Sequence, residues 1–150
     1  MKLCSACLLG VRCRYDGKSG PDENVIALSK KEALIPVCPE QLGGMPTPRA
    51  PAEAEGSGEE VLSGKAKVIN KNGEDVSSSF IKGAEEVLSI AKLFGIKEAI
   101  LRQKSPSCGS GRIYDGSFTG RIVKGDGVTT ALLKRSGIKV VSEENCDACH

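Results

Sequence analysis

Tryptophan is absent from this sequence, aromatic residues amount to 3%, and the one histidine is the last residue, His150. The core must therefore be aliphatic, built from Val, Ile, Leu and Ala. Charge of one sign is missing too. Twenty-one basic and 19 acidic residues leave a net charge of +2, which excludes general nucleic-acid binding while leaving room for a local basic pocket. No apolar run approaches a membrane span, so no membrane partner is expected. Met1-Lys2-Leu3-Cys4-Ser5-Ala6-Cys7 contains no apolar segment long enough for a signal peptide. A cytoplasmic protein is the expectation.

What is present points to one domain. The chain has 150 residues, 39% of them hydrophobic, enough for a packed interior without covalent staples. It also has seven cysteines. An odd number without an export signal argues against a disulfide framework, because cytosolic thiols are kept reduced. Metal-binding or catalytic thiolates are the better reading.

Lys2–Cys7 reads as a strand running into a loop at Leu8-Leu9-Gly10, and residues 22–33 as a short helix around Val25, Ile26 and Leu28. Leu34–Cys38 reads as a strand whose Pro36 argues for an edge position. The proline-rich stretch 45–58 reads as an irregular loop, and Lys67–Ile69 as a strand with an Asn72-Gly73 turn after it. The clearest helix starts at Ser77–Ser79, taken as N-cap material. It carries Phe80, Ala84, Val87, Leu88, Ala91 and Phe94 on one stripe and stops at Gly95. A strand over 96–101, a helix from Val128 ended by Gly137, and a strand over 138–141 complete the pattern.

Helices alternating with strands predict a single three-layer α/β domain with a mostly parallel sheet. In such sheets the chemistry sits beyond the strand carboxyl ends. Cys7, Cys38 and the loop carrying Cys108 all fall at those ends, which places three distant cysteines on one rim. Soft sulfur ligands favour an iron–sulfur cluster, zinc or copper(I), and thiol chemistry alone does not choose among them. A free cysteine is commonly a small buried hydrophobe. That bland reading suits any one of the three better than it suits all three, in Pro/Gly-rich loops at strand ends.

Four motifs surround these cysteines. They are Cys7-Leu8-Leu9-Gly10 with Arg14-Tyr15-Asp16-Gly17, then Cys38-Pro39-Glu40 with Gly43-Gly44 and Pro48-Arg49. Lys104-Ser105-Pro106-Ser107-Cys108-Gly109 follows, and then Tyr114-Asp115-Gly116-Ser117-Phe118 with Gly125-Asp126-Gly127-Val128. In this order, over about Leu3 to Glu143, they resemble the TudS-type thiouracil desulfidase family. The resemblance implies a 4Fe-4S cluster on Cys7, Cys38 and Cys108 with one open iron. It implies an enzyme that exchanges C–S for C–O hydrolytically in a thiolated pyrimidine base or its nucleotide, a small-molecule partner, and releases sulfide. It gives acid–base or water-positioning roles to Glu40 and to a serine, with Ser105 preferred over Ser107. Structural roles for these residues, a cap at Glu40 and a turn at Ser105, compete about evenly.

Arg49, Arg14 and Lys104 are candidates for binding substrate phosphate or carbonyl oxygens. Each such residue is more often a solvated surface charge. The Gly109-Ser110-Gly111 amides are a weaker anion site. Cys4, Cys13, Cys146 and Cys149 fall outside the family pattern. Cys4-Ser5-Ala6-Cys7 and Cys146-Asp147-Ala148-Cys149 are two zinc-type half-sites, so Cys4, Cys146 and Cys149 form a possible second metal site that competes for Cys7. The C-x-x-C-H spelling at Cys146–His150 also matches haem attachment, which normally follows export. The division expected is a desulfidase-like domain over 1–145 and a tail over 146–150, disordered with incidental thiols on the plainest reading. The rival to an enzyme is a non-enzymatic zinc- or cluster-binding module with a structural or redox-sensing role.

Overall fold

The first strand, β1 (Lys2–Ser5), alternates Leu3 and Cys4 onto opposite faces, and both are fully buried. A strand buried on two sides needs cover on two sides, and the remaining elements supply it. The structure, a computed structural model, describes residues 1–149. His150, and with it the end of the C-x-x-C-H sequence, lies outside the described residues.

After a 3-10 turn at Ala6–Leu9, α1 (Glu23–Ser29) starts where the Asp22 carboxylate accepts the Asn24 and Val25 amides, both at 3.0 Å. This is an ordinary N-cap. Then come β2 (Leu34–Val37), the one-turn α2 (Pro39–Leu42), β3 (Ala52–Ala54), α3 (Gly58–Leu62) and β4 (Val68–Asn70). The long α4 (Ser77–Phe94) ends at Gly95 in the left-handed conformation (φ 65°). β5 (Glu98–Leu101), β6 (Arg112–Tyr114), β7 (Ile122–Lys124), α5 (Val128–Arg135) and β8 (Lys139–Ser142) complete the chain, before a last 3-10 turn at Asp147–Cys149.

β2, β1, β5 and β8 form a wholly parallel sheet in that order. Pro36 lies on β2, which is an edge strand as its missing amide requires. Leu3, Ala99, Leu101 and Val140 face α4 and α5, meeting Val87, Ala91 and Leu133. Cys4 and Ile100 face the other way, toward Val25 and Leu28 of α1 and the buried Cys146 and Cys149. The three-layer α/β architecture is therefore present.

Two antiparallel ribbons, β3–β4 and β6–β7, sit outside the main sheet. Sequence reading made 45–58 a plain loop and overlooked β6 and β7, because three-residue strands carry too little alternation to register. Val76, not a serine, caps α4. Ser77 instead donates its hydroxyl to Asp75 and accepts the Val68 amide at 2.8 Å, so it ties β4 to the helix.

α2 and α4 touch backbone to backbone at Gly43 and Gly83. A Cβ at Gly83 would stand 2.0 Å from the Pro39 carbonyl oxygen, and one at Gly43 2.1 Å from that of Ser79. Gly→Ala inside an exposed helix ordinarily stabilises by about 1 kcal/mol. Gly83→Ala is expected to reverse that sign and cost about 1–3 kcal/mol through overpacking. Urea denaturation of the apo protein measures it.

Candidate active site

The connection after β1 leads to β2 on one side, and the chain then crosses to β5 on the other. The strand order thus reverses between β1 and β5, and the crevice at such a switch point is the usual binding place in open α/β sheets. Cys7 follows β1, Cys38 follows β2 and Cys108 lies on the loop after β5.

A continuous polar path joins two of these thiols. The Cys38 Sγ is 3.4 Å from Glu40 Oε2, the Ser107 hydroxyl donates to Glu40 Oε1, and Ser107 Oγ is 3.5 Å from Cys108 Sγ. Glu40 reaches this place because Pro39 opens α2 directly after Cys38, turning the next side chain back beside the thiol. The third thiol is linked through Cys13. Hydrogen bonding with the Cys13 thiol lowers the Cys7 pKa to about 7 and lowers Cys38 as well, whose Sγ also lies 3.7 Å from the Cys13 carbonyl oxygen. The Cys13 thiol is itself raised by those two neighbours and by burial. For Cys7, Arg102 adds to the lowering and offsets the cost of burial. Burial pushes Cys108 strongly upward, with Glu40 adding to it.

Ser107 is fully buried, and Ser105 is occupied elsewhere. Ser105 Oγ accepts the amides of Ser107 at 3.2 Å and Cys108 at 2.8 Å, a turn-forming role. Ser107 is thus the serine in direct contact with Glu40, and Ser105 Oγ stands one hydroxyl further along, 3.1 Å from Ser107 Oγ. Only a side-chain partner distinguishes the two, and neighbouring serines in one motif do not reveal it.

Of the proposed substrate-binding residues, Arg49 is turned inward with its side chain 11% exposed. It donates to the Cys13 carbonyl at 3.1 Å, to Thr47 and to Pro46, and lies 3.8 Å from Glu40 Oε2. Arg49 is thus engaged with the protein around Glu40 and Cys13. Arg14 stacks over Tyr15, 5.9 Å from its ring centre. Lys104 adopts a left-handed backbone (φ 71°) on the Cys108 loop. Gly109 is glycine for packing: its Cβ would stand 2.6 Å from the Arg112 carbonyl oxygen and 2.8 Å from Ile113.

Several residues that hold the Cys108 loop carried no sequence signal. The Gln103 amide clamps Ser110 at 2.8 Å in both directions, and Thr130 donates to the Cys108 carbonyl at 2.8 Å. The first amides of α5, Val128 and Thr129, donate to Pro106 and Ser107 at 2.8 and 2.9 Å. Gly127 is required there, since its Cβ would fall 2.5 Å from the Ser107 carbonyl carbon. The Gly125-Asp126-Gly127-Val128 motif is thus the base on which the third thiol stands.

The second metal site is not formed. Cys146 and Cys149 are bonded to each other as a disulfide, so neither offers a thiolate, and Cys4 is fully buried, its thiol pushed up to about 12 by burial. The segment is not loose either, since its final turn packs on α1. Among the described residues no three His, Cys, Asp or Glu side chains gather tightly enough for a single metal ion. Replacing Cys146 and Cys149 together by serine is expected to leave iron uptake unchanged and to cost about 2 kcal/mol, the entropic worth of so short a closed loop. Iron analysis and a thermal melt check both.

The fold is that of an α/β protein with Cys7, Cys38 and Cys108 on the segments that follow β1, β2 and β5. The chain belongs to the 2-thiouracil desulfurase family, whose family model matches residues 3–145. It is 46% identical over 144 residues to the uncharacterized protein YbbK of Bacillus subtilis (strain 168), covering 95% of both chains. Among solved structures it is similar to a [4Fe-4S]-dependent thiouracil desulfidase, TudS, at 46% identity and TM-score 0.84 over 95% of this chain and 90% of that one. No helix among the described residues is long and apolar enough to cross a membrane.

Proposed function

We propose that this chain is an iron–sulfur-dependent desulfidase that replaces the ring sulfur of a thiolated pyrimidine by oxygen and releases sulfide. The observation that carries the reading is Glu40, a carboxylate held between the Cys38 thiol and the Ser107–Cys108 pair. A closed structural site has no need of such a group, so the non-enzymatic reading is not favoured.

The donor set fits a 4Fe-4S cluster. Three soft thiols come from three loops, two of them acidified, with no histidine among the described residues to compete. Cys7, Cys38 and Cys108 would hold it, leaving one iron without a protein ligand. When bound it supplies Lewis acidity toward a thiocarbonyl sulfur.

The protein's own groups handle the proton. Glu40 Oε1 is occupied by the Ser107 hydroxyl, and with the Cys38 thiol deprotonated to hold the cluster, Oε2 is the oxygen left to take a proton from the water attacking the ring carbon. Arg49, 3.8 Å from that oxygen, keeps the carboxylate oriented. The balance is water plus thiocarbonyl giving carbonyl plus hydrogen sulfide, with no oxidant or reductant.

The substrate is the free base or its nucleotide, and Arg14 and Lys104, on the loops of Cys13 and Cys108, are the candidate cations for telling them apart. A reducing cytoplasm suits the free thiols. The test is anaerobic reconstitution with iron and sulfide, followed by sulfide measurement with 2-thiouracil and with thiouridine monophosphate. A brown protein that releases sulfide is expected. A colourless protein with stoichiometric zinc, or a brown one inert toward both substrates, sinks the proposal.

A further inference from the structure

Arg102 has no part in the reaction as derived, yet it is held against the Cys7 loop from both sides. It is the first residue after β5, and its amide donates to Ser5 Oγ at 2.8 Å. Its Nη1 donates to the Gly20 carbonyl at 3.1 Å, while the Gly20 amide donates to the Cys7 carbonyl at 3.1 Å. Gly20 makes the place for it, because a Cβ there would stand 2.1 Å from Nη1 and 2.8 Å from Cζ of the guanidinium. The positive charge so placed lies close enough to the Cys7 thiol to help lower its pKa. Glu143, whose carboxylate accepts the Gln103 amide at 2.8 Å, is its charged neighbour behind.

We propose that Arg102 is a positioning residue for the cluster, its guanidinium held to the Cys7 loop through Gly20 and setting a fixed positive charge beside the Cys7 sulfur. This rests on the cluster reading above. The guanidinium never loses its proton in a protein, so the charge is constant over the working pH range. Positive charge beside a ligating sulfur withdraws electron density from it. This lowers the free energy of adding an electron to the cluster, and so raises its reduction potential. Partners behind a metal ligand typically set affinity by about 10–100-fold. Lysine keeps the charge but has no planar fork with which to hold it at Gly20 O beside Cys7.

Three variants test this after anaerobic reconstitution: Arg102→Met, Arg102→Lys and Gly20→Ala. Gly20→Ala retains the arginine but fills its place, at a position where the backbone is ordinary. The measurements are the midpoint potential of the loaded protein, the rate of iron loss to a ferrous chelator, and the melting temperature of the apo protein. Arg102→Met is expected to lose iron about tenfold faster or more than wild type and to show a more negative potential. Arg102→Lys should fall between, and Gly20→Ala should resemble Arg102→Met. Variants that melt lower yet keep the wild-type potential and chelation rate would reduce Arg102 to a structural brace and overturn the inference. A wild-type chain that takes up no iron and sulfide would instead remove the cluster reading on which it rests.

Discussion

A Glu40→Gln protein is expected to assemble its iron and sulfide like wild type and to release sulfide about a hundred-fold more slowly, or worse, the usual effect of losing a placed acid–base group. The two outcomes separate because the residue has separate relations to the two parts of the site. Oxygen is a hard ligand among thiols, so Glu40 is no cluster anchor. The amide still accepts the Ser107 hydroxyl through its oxygen, which preserves the loop contact while removing the base. Ser107→Ala should slow release less than Glu40→Gln, since it loosens the carboxylate without deleting it. Ser105→Ala should act on the fold of the Cys108 loop, whose two amides Ser105 holds. Full activity in an iron-loaded Glu40→Gln protein would move the proton to Ser107 or to water alone.

The second large effect concerns the N-terminal thiols. Cys7→Ser is expected to abolish stable iron binding, because a hydroxyl replaces the only protein sulfur on one iron. Cys4→Ser should keep full iron content, since Cys4 is fully buried with α1 and the C-terminal turn. Cys13→Ser is expected to keep iron as well, because Cys13 is buried and lies outside the proposed ligand set. Iron analysis with the visible absorption of the reconstituted proteins reads all three. Loss of iron from Cys13→Ser beside its retention in Cys7→Ser would show that Cys13 is the ligand.

The parallel sheet was legible because β1, β2, β5 and β8 are each bounded by glycine, proline or a clear helix stripe. The position of Pro36 even gave away the edge. Of the small antiparallel ribbons only β4 was legible, as the Lys67–Ile69 strand, since β3, β6 and β7 pair through backbone amides at positions where side-chain pattern is nearly silent. At the site, the motif cysteines were proposed from their place at strand ends and from likeness, and Glu40 from likeness alone. The inward turn of Arg49, the contact of Ser107 with Glu40, and the roles of Cys13 and Arg102 depend on which partner a side chain meets across the fold. Cys13 lay in a stretch already noticed, beside Arg14-Tyr15-Asp16-Gly17, but its sequence neighbours say nothing of Cys38, which it touches.

The third thiol stands on a base that α5 provides, and α5 is among the last elements of the chain to be made. During synthesis the first two cysteine loops leave the ribosome long before residues 127–130, whose contacts hold the Cys108 loop in shape. Parallel strands also pair only after long chain closures. A nascent chain therefore has thiols but no site, and iron delivered early would meet loose cysteines. Cluster insertion is thus expected to follow completed folding, because one short helix holds the last of the three thiol loops.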